Sequence, residues 1–102
     1  MSKYRAVKTT IDGIKFDSKA EANHYLELKT FQNAGVISDL CMQVSYEIIV
    51  NGKRICKYYA DFQFVENGVT VVEDVKGVRT AVYRIKKKLV EALYGIEIVE
   101  VK

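Results

Sequence analysis

The sequence predicts an α+β domain with a mixed sheet flanked by helices. Three observations carry this. Apolar runs at strand spacing are separated by Asn51-Gly52 and Asn67-Gly68, dipeptides that favour tight hairpin turns. Two other stretches, residues 18–34 and 80–94, repeat apolar residues at helical spacing. A last apolar run, 96–101, follows the second helix and can return parallel to an earlier strand by a crossover. The expected order is helix, three strands, helix, strand. The 102 residues, 49% of them hydrophobic, suit one domain spanning 1–102, with a basic arm at about 1–16.

In the arm, Asp12-Gly13 signals a turn between short strands at 7–10 and 14–16. Ser18-Lys19-Ala20-Glu21 fits a capping box, in which the serine caps a helix and the glutamate reaches back. Ala22, Tyr25, Leu26 and Leu28 share the apolar face of that helix, Glu21 lies at its edge, and Gly35 is the stop signal. Residues 36–43 read as a connection with room for a short strand. A strand at 44–50 follows, then a returning strand at 54–64 whose even positions, Cys56 to Phe64, form the apolar face. Asp61 falls on the other, less apolar face. The strand at 69–76 carries valines on both faces, which suits a central strand. In the second helix, Val82, Ile85, Leu89, Ala92 and Leu93 make an apolar stripe, and Gly95 ends the helix.

Composition narrows the function. No apolar run approaches the roughly 18 residues of a membrane-spanning helix, and the charged start Met1-Ser2-Lys3-Tyr4-Arg5 does not read as a secretion signal. A cytoplasmic protein with no membrane partner is expected. Cys41 and Cys56 read as free thiols. With His24 the only histidine, a zinc site would lack its usual ligands. Net charge is +3, yet Arg79, Arg84, Lys86, Lys87 and Lys88 crowd the stretch after the acidic Glu73-Asp74. Such a flank suits a polyanion, and equally a solvated helix face.

Asp61 and Asp74 stand near the ends of two runs that a meander would place side by side. Lys76 shares the face of Asp74, because side chains alternate along a strand, and Glu73 takes the opposite face. Two carboxylates and an amine in one small volume suit a hard cation and phosphodiester hydrolysis, with the Val75 carbonyl as a further oxygen donor. A plain surface Asp–Lys pair is the competing explanation. An aspartate inside the aromatic strand around Tyr59 and Phe62 is harder to explain that way, since strands are depleted in Asp. Glu21 remains open between a capping role and a third carboxylate of the site.

Asp61, Asp74-Val75-Lys76 and the element order resemble the PD-(D/E)XK nuclease superfamily, whose restriction-endonuclease-like core has the order αβββαβ. Lys15-Phe16-Asp17-Ser18-Lys19, Glu21-Ala22, Tyr59-Ala60-Asp61-Phe62, Val72-Glu73-Asp74-Val75-Lys76-Gly77, and Thr80 with Tyr83 and Lys86 are similar to small phage-encoded members related to junction-resolving endonucleases. The resemblance spans about residues 4–101, and Ala60 stands where the motif name has proline. It implies an Mg²⁺-dependent DNA endonuclease, with Mn²⁺ as substitute, acting on branched or structured DNA such as Holliday junctions. Asp61, Asp74 and Glu21 would bind the metal and Lys76 would assist the water. Arg79, Arg84, Lys86, Lys87 and Lys88 are the expected DNA contacts. A non-catalytic DNA-binding or regulatory protein on the same fold is the alternative. A homodimer is expected, since cutting two strands takes two sites. The arm from Lys3 to Phe16 would pair with a second subunit or fold onto its own first helix.

Overall fold

The computed structural model describes residues 8–101. A small hairpin, β1 (Thr9–Ile11) and β2 (Ile14–Phe16), precedes helix α1 (Lys19–Asn33). Then come β3 (Ser38–Val50), β4 (Lys53–Glu66), β5 (Val69–Val75), helix α2 (Ala81–Tyr94) and β6 (Ile98–Val101). The main sheet has the order β3-β4-β5-β6, antiparallel except for the parallel β5–β6 pair, as a helical crossover requires. The chain is therefore a small α+β domain with a mixed sheet and two helices.

The turns follow their chemistry. Asn51 and Gly52 both have positive φ, 51° and 78°, the conformation that lets a two-residue turn match the strands' twist. β3 begins well before residue 44, because residues 38–43 pair with β4 through irregular register at Ser38/Cys41. The strand for which residues 36–43 left room is thus longer than expected and continuous with the next, and the periodicity that would have revealed its length is broken by Asp39 and Gln43, both at positive φ.

Two apolar clusters form, and alternation along β5 divides its valines between them. Val71 packs with α1 and the hairpin, against Phe16, Ala22, Tyr25, Leu28, Phe62 and Phe64. Val72 packs with α2, against Ile48, Tyr58, Ala60, Val90 and Ile98. β4 does not keep one apolar face. Tyr58 and Ala60 belong to the second cluster, whereas Phe62 and Phe64 belong to the first. The exchange falls at Asp61, opposite Gln43, whose left-handed φ of 52° breaks the pleat between the pairs Val44↔Ala60 and Met42↔Phe62.

The structure decides between the two placements of the arm and changes two further expectations. The hairpin folds back onto its own helix: Phe16 is buried against Tyr25 and Phe62, and the Tyr25 hydroxyl donates to Asp12 Oδ2 at 2.8 Å. That removes the described part of the arm as a free strand, while residues 1–7, including Lys3 and Arg5, lie outside the described residues. Leu26 is exposed rather than packed. The apolar stripe of α2 also faces outward, with Val82 62% and Ile85 59% exposed. Of the stripe, Leu89 packs against the sheet-side cluster; Tyr83 and Val90 hold the helix with it, helped by hydrogen bonds from Tyr94 to Glu47 O, from Lys86 to Lys57 O and from Ile98 N to Glu91. Among the described residues, no helix is long and apolar enough to cross a membrane, and Cys41 and Cys56 are free thiols.

Candidate active site

The β4–β5 ladder runs from Glu66↔Val69 to Phe62↔Glu73. The next step would set Asp61 against Asp74. There the carboxylates take over from the backbone. Asp61 N–H donates to Asp74 Oδ1 at 3.1 Å, and Val75 N–H donates to Asp61 Oδ2 at 2.8 Å. Short acidic side chains compete with ladder partners for backbone N–H groups, so the pair ends the ladder and is locked at the point where it ends. Asp61 is 9% exposed and Asp74 fully buried.

α1 adds Glu21. Ser18 Oγ caps the helix by accepting from Glu21 N at 3.1 Å. The glutamate carboxylate does not close the capping box. It is 7% exposed and accepts from Gln43 Nε2 at 3.3 Å. The same amide lowers the Asp61 pKa, so it bears on both the α1 and the β4 carboxylate. Burial, then the charges of Asp61 and Asp17, push the Glu21 carboxyl up to about 7. Burial lifts Asp74 to about 6 against the pull of Lys76. Burial also raises Asp61, and the Val75 N–H, Lys76 and Gln43 restrain the rise.

Lys76 acts on all three carboxylates, lowering each. Its backbone N–H is fixed to Val101 O at 2.9 Å. Its Nζ lies 4.6 Å from the centre of the Tyr83 ring, a cation–π distance. The Tyr83 hydroxyl donates to Glu100 Oε2 at 2.8 Å, and Glu100 Oε1 pairs with Arg79 at 3.3 Å. Glu73 points away from the site, as alternation requires, and binds His24 Nε2 at 2.7 Å. That contact fastens α1 to β5 one turn beyond Glu21, and the Glu73 hydrogen bond raises the His24 pKa against the opposing effect of burial.

One oxygen tests the fit to a cation. Asp74 Oδ2 is buried and has no hydrogen-bond partner among the described residues. Buried carboxylate oxygens are ordinarily satisfied, and an orphan beside two further destabilised carboxylates fits a missing positive charge. Among the described residues, no three His, Cys, Asp or Glu side chains form a ready cage. Mg²⁺ needs none, because it keeps several waters and is usually held by one or two carboxylates. Val75 contributes its N–H to Asp61.

Of the basic residues, Arg79, Arg84, Lys87 and Lys88 line one cavity with Ile85 and Glu100. Lys86 does not, its amine being spent on Lys57 O at 3.0 Å. Lys87 pairs with Glu91 at 3.2 Å. Sequence reasoning missed Gln43, Asp17 and Glu100. Gln43 left a faint signal, a long polar amide between the apolar Met42 and Val44. The other two are ordinary acidic residues until the fold gathers them.

Fold and site define a small α+β domain with an acidic cluster at the open end of two central strands and a lysine beside it. The chain belongs to the family described as protein of unknown function DUF1064, whose model matches residues 1–100. No curated protein matches it. No solved structure does either.

Proposed function

We propose that the protein is an Mg²⁺-dependent DNA endonuclease with a PD-(D/E)XK core, cutting branched or otherwise structured DNA. The observation that carries this is the gathering of Glu21, Asp61 and Asp74 around Lys76, with one buried Asp74 oxygen left unpaired. Asp61 and Asp74 would hold the cation, with the Glu21 carboxylate beside them. A bound divalent ion supplies Lewis acidity and lowers the pKa of water. Asp74 stays fixed because its Oδ1 accepts from Asp61 N. Lys76, steadied over Tyr83, offers its ammonium to the water or to the charge that develops on phosphorus. Hydrolysis then forms one P–O bond to water and breaks one ester bond.

The test is incubation with linear, nicked, flapped and four-way DNA, with Mg²⁺, with Mn²⁺ and with EDTA. Cleavage that EDTA abolishes supports the proposal, and no cleavage of any substrate in either metal defeats it. One observation favours a non-catalytic DNA-binding protein instead: Asp61 and Asp74 already satisfy backbone N–H groups and so have a structural use. Calorimetric titration with Mg²⁺ separates the two, because a purely structural pair gives no heat of binding. A homodimer belongs to the same proposal, since two strands require two sites. Light scattering with and without DNA checks it, and a monomeric mass in both conditions excludes it.

A further inference from the structure

Beyond the acidic cluster lies a cavity of about 280 Å³, lined by Arg79, Arg84, Lys87 and Lys88, with Ile85 and Glu100. We infer that this cavity is a subsite for a backbone phosphate of the same DNA strand, a few positions from the one that is cut. The inference rests on the DNA-directed reading of the acidic site and adds where the strand runs.

Charge comes first. The cavity wall carries four cations and one carboxylate. Glu100 is shared between Arg79 and the Tyr83 hydroxyl, and Lys87 is matched by Glu91. Among the described residues, the Arg84 guanidinium and the Lys88 amine meet no acidic partner. Unmatched cations around a concave surface favour an anion. A water takes about 30 Å³ of liquid, so the space admits a phosphodiester group with part of its hydration shell.

Position comes second. Glu100 links the cavity to the site through contacts already described: Arg79 at 3.3 Å, Tyr83 at 2.8 Å and, from the Tyr83 ring, Lys76 at 4.6 Å. A strand carries a phosphate about every 3.4 Å of helix axis, so one that offers a phosphate to Lys76 carries its next phosphates past Arg79. Arginine suits this role because its fork can keep Glu100 on one nitrogen and offer others to phosphate oxygens. The adjacent Lys86 is excluded by its bond to Lys57 O, which makes it an internal control.

The experiment measures DNA affinity by fluorescence anisotropy in EDTA, without turnover, over a salt series. Arg79→Gln, Arg84→Gln and Lys88→Gln should each weaken binding and lower the salt slope by about 0.9. Lys86→Gln, checked for folding by circular dichroism, and the remote Lys53→Gln should leave the slope in place. The subsite is overturned if the three cavity variants keep the wild-type slope, or if Lys53→Gln lowers it equally, which would mean diffuse charge. The two proposals fail separately. Cleavage in Mg²⁺ with an insensitive slope removes only the subsite, and the expected slopes without cleavage in any metal remove only the nuclease.

Discussion

α1 and α2 belong to two different cores of one sheet, and they are held in opposite ways. α1 has a weak apolar pattern, yet it buries Ala22, Tyr25 and Leu28 and carries Glu21 in with them. α2 has a strong apolar stripe, yet leaves most of it in solvent, Val82, Ile85 and Leu93 included, and docks through Tyr83, Val90, the flank of Leu89 and three polar links. The stripe points outward because each link needs one rotation of the helix, and that rotation turns Val82 and Ile85 away from the sheet. One helix thus supplies an acidic group to the floor of the site, and the other sets cations along its rim. The difference predicts a division of labour: floor residues govern turnover and rim residues govern affinity.

The sharpest way to break this division is Asp61→Asn or Asp74→Asn. Each should remove Mg²⁺-dependent cleavage, a loss of at least about 10²–10³-fold in kcat given what single electrostatic groups contribute, while DNA affinity in EDTA stays near wild type. Cleavage assays and anisotropy on the same preparations check both halves, and a parallel loss of affinity would erase the distinction. Next in size, Lys76→Ala should lower the rate at saturating metal by roughly 10²–10³. Its calorimetric metal affinity should remain, since the amine acts on water and phosphate.

The two helices can also be compared by stability. Leu28→Ala removes a buried side chain and should cost about 2–5 kcal/mol. Val82→Ser, on the outward stripe of α2, should stay within about 0.5 kcal/mol. Urea titration of both variants measures the contrast, and a large loss from Val82→Ser would mean that the stripe is covered in solution. Smaller than the effect of Lys76→Ala is that of Gln43→Ala, which removes the hydrogen bond on Glu21. A group that orients ligands typically contributes 10–100-fold to metal affinity or activity, and the titration should show a loss of about that size.

The smallest effect concerns pH. Glu21 and Asp74 are raised from 4.5 to about 7 and from 3.8 to about 6. A raised carboxyl binds protons more tightly in the folded state, so metal-free stability falls as pH rises from about 4 to 7. If about 1 kcal/mol of this survives solvent screening, the thermal midpoint drops by roughly 4–8 °C across that window. Mg²⁺ should restore it at pH 7.5, and Asp74→Asn should flatten the drop. A midpoint that rises with pH in metal-free buffer would contradict the burial that raises these acids.

Much of this was legible along the chain. Asn51-Gly52 and Asn67-Gly68 set the hairpins because few residues other than glycine and asparagine accept their positive φ values. Ser18 set the start of α1, and Gly95, at φ 64°, the end of α2. Alternation placed Glu73 and Asp74 on opposite faces of β5, and the structure keeps them there. Local rules suffice where the determinant is a residue's own backbone preference or its immediate spacing. They could not place Gln43, whose left-handed turn moves β4 from one core to the other at Asp61, because that break depends on two strands meeting. They could not choose between capping and site for Glu21, which turns on whether β3 brings an amide within reach. Nor could they orient α2, because a hydrophobic stripe records only which side is apolar. Which side faces the sheet was decided by Tyr83, Glu91 and Tyr94 finding their partners, a matter of tertiary contact alone.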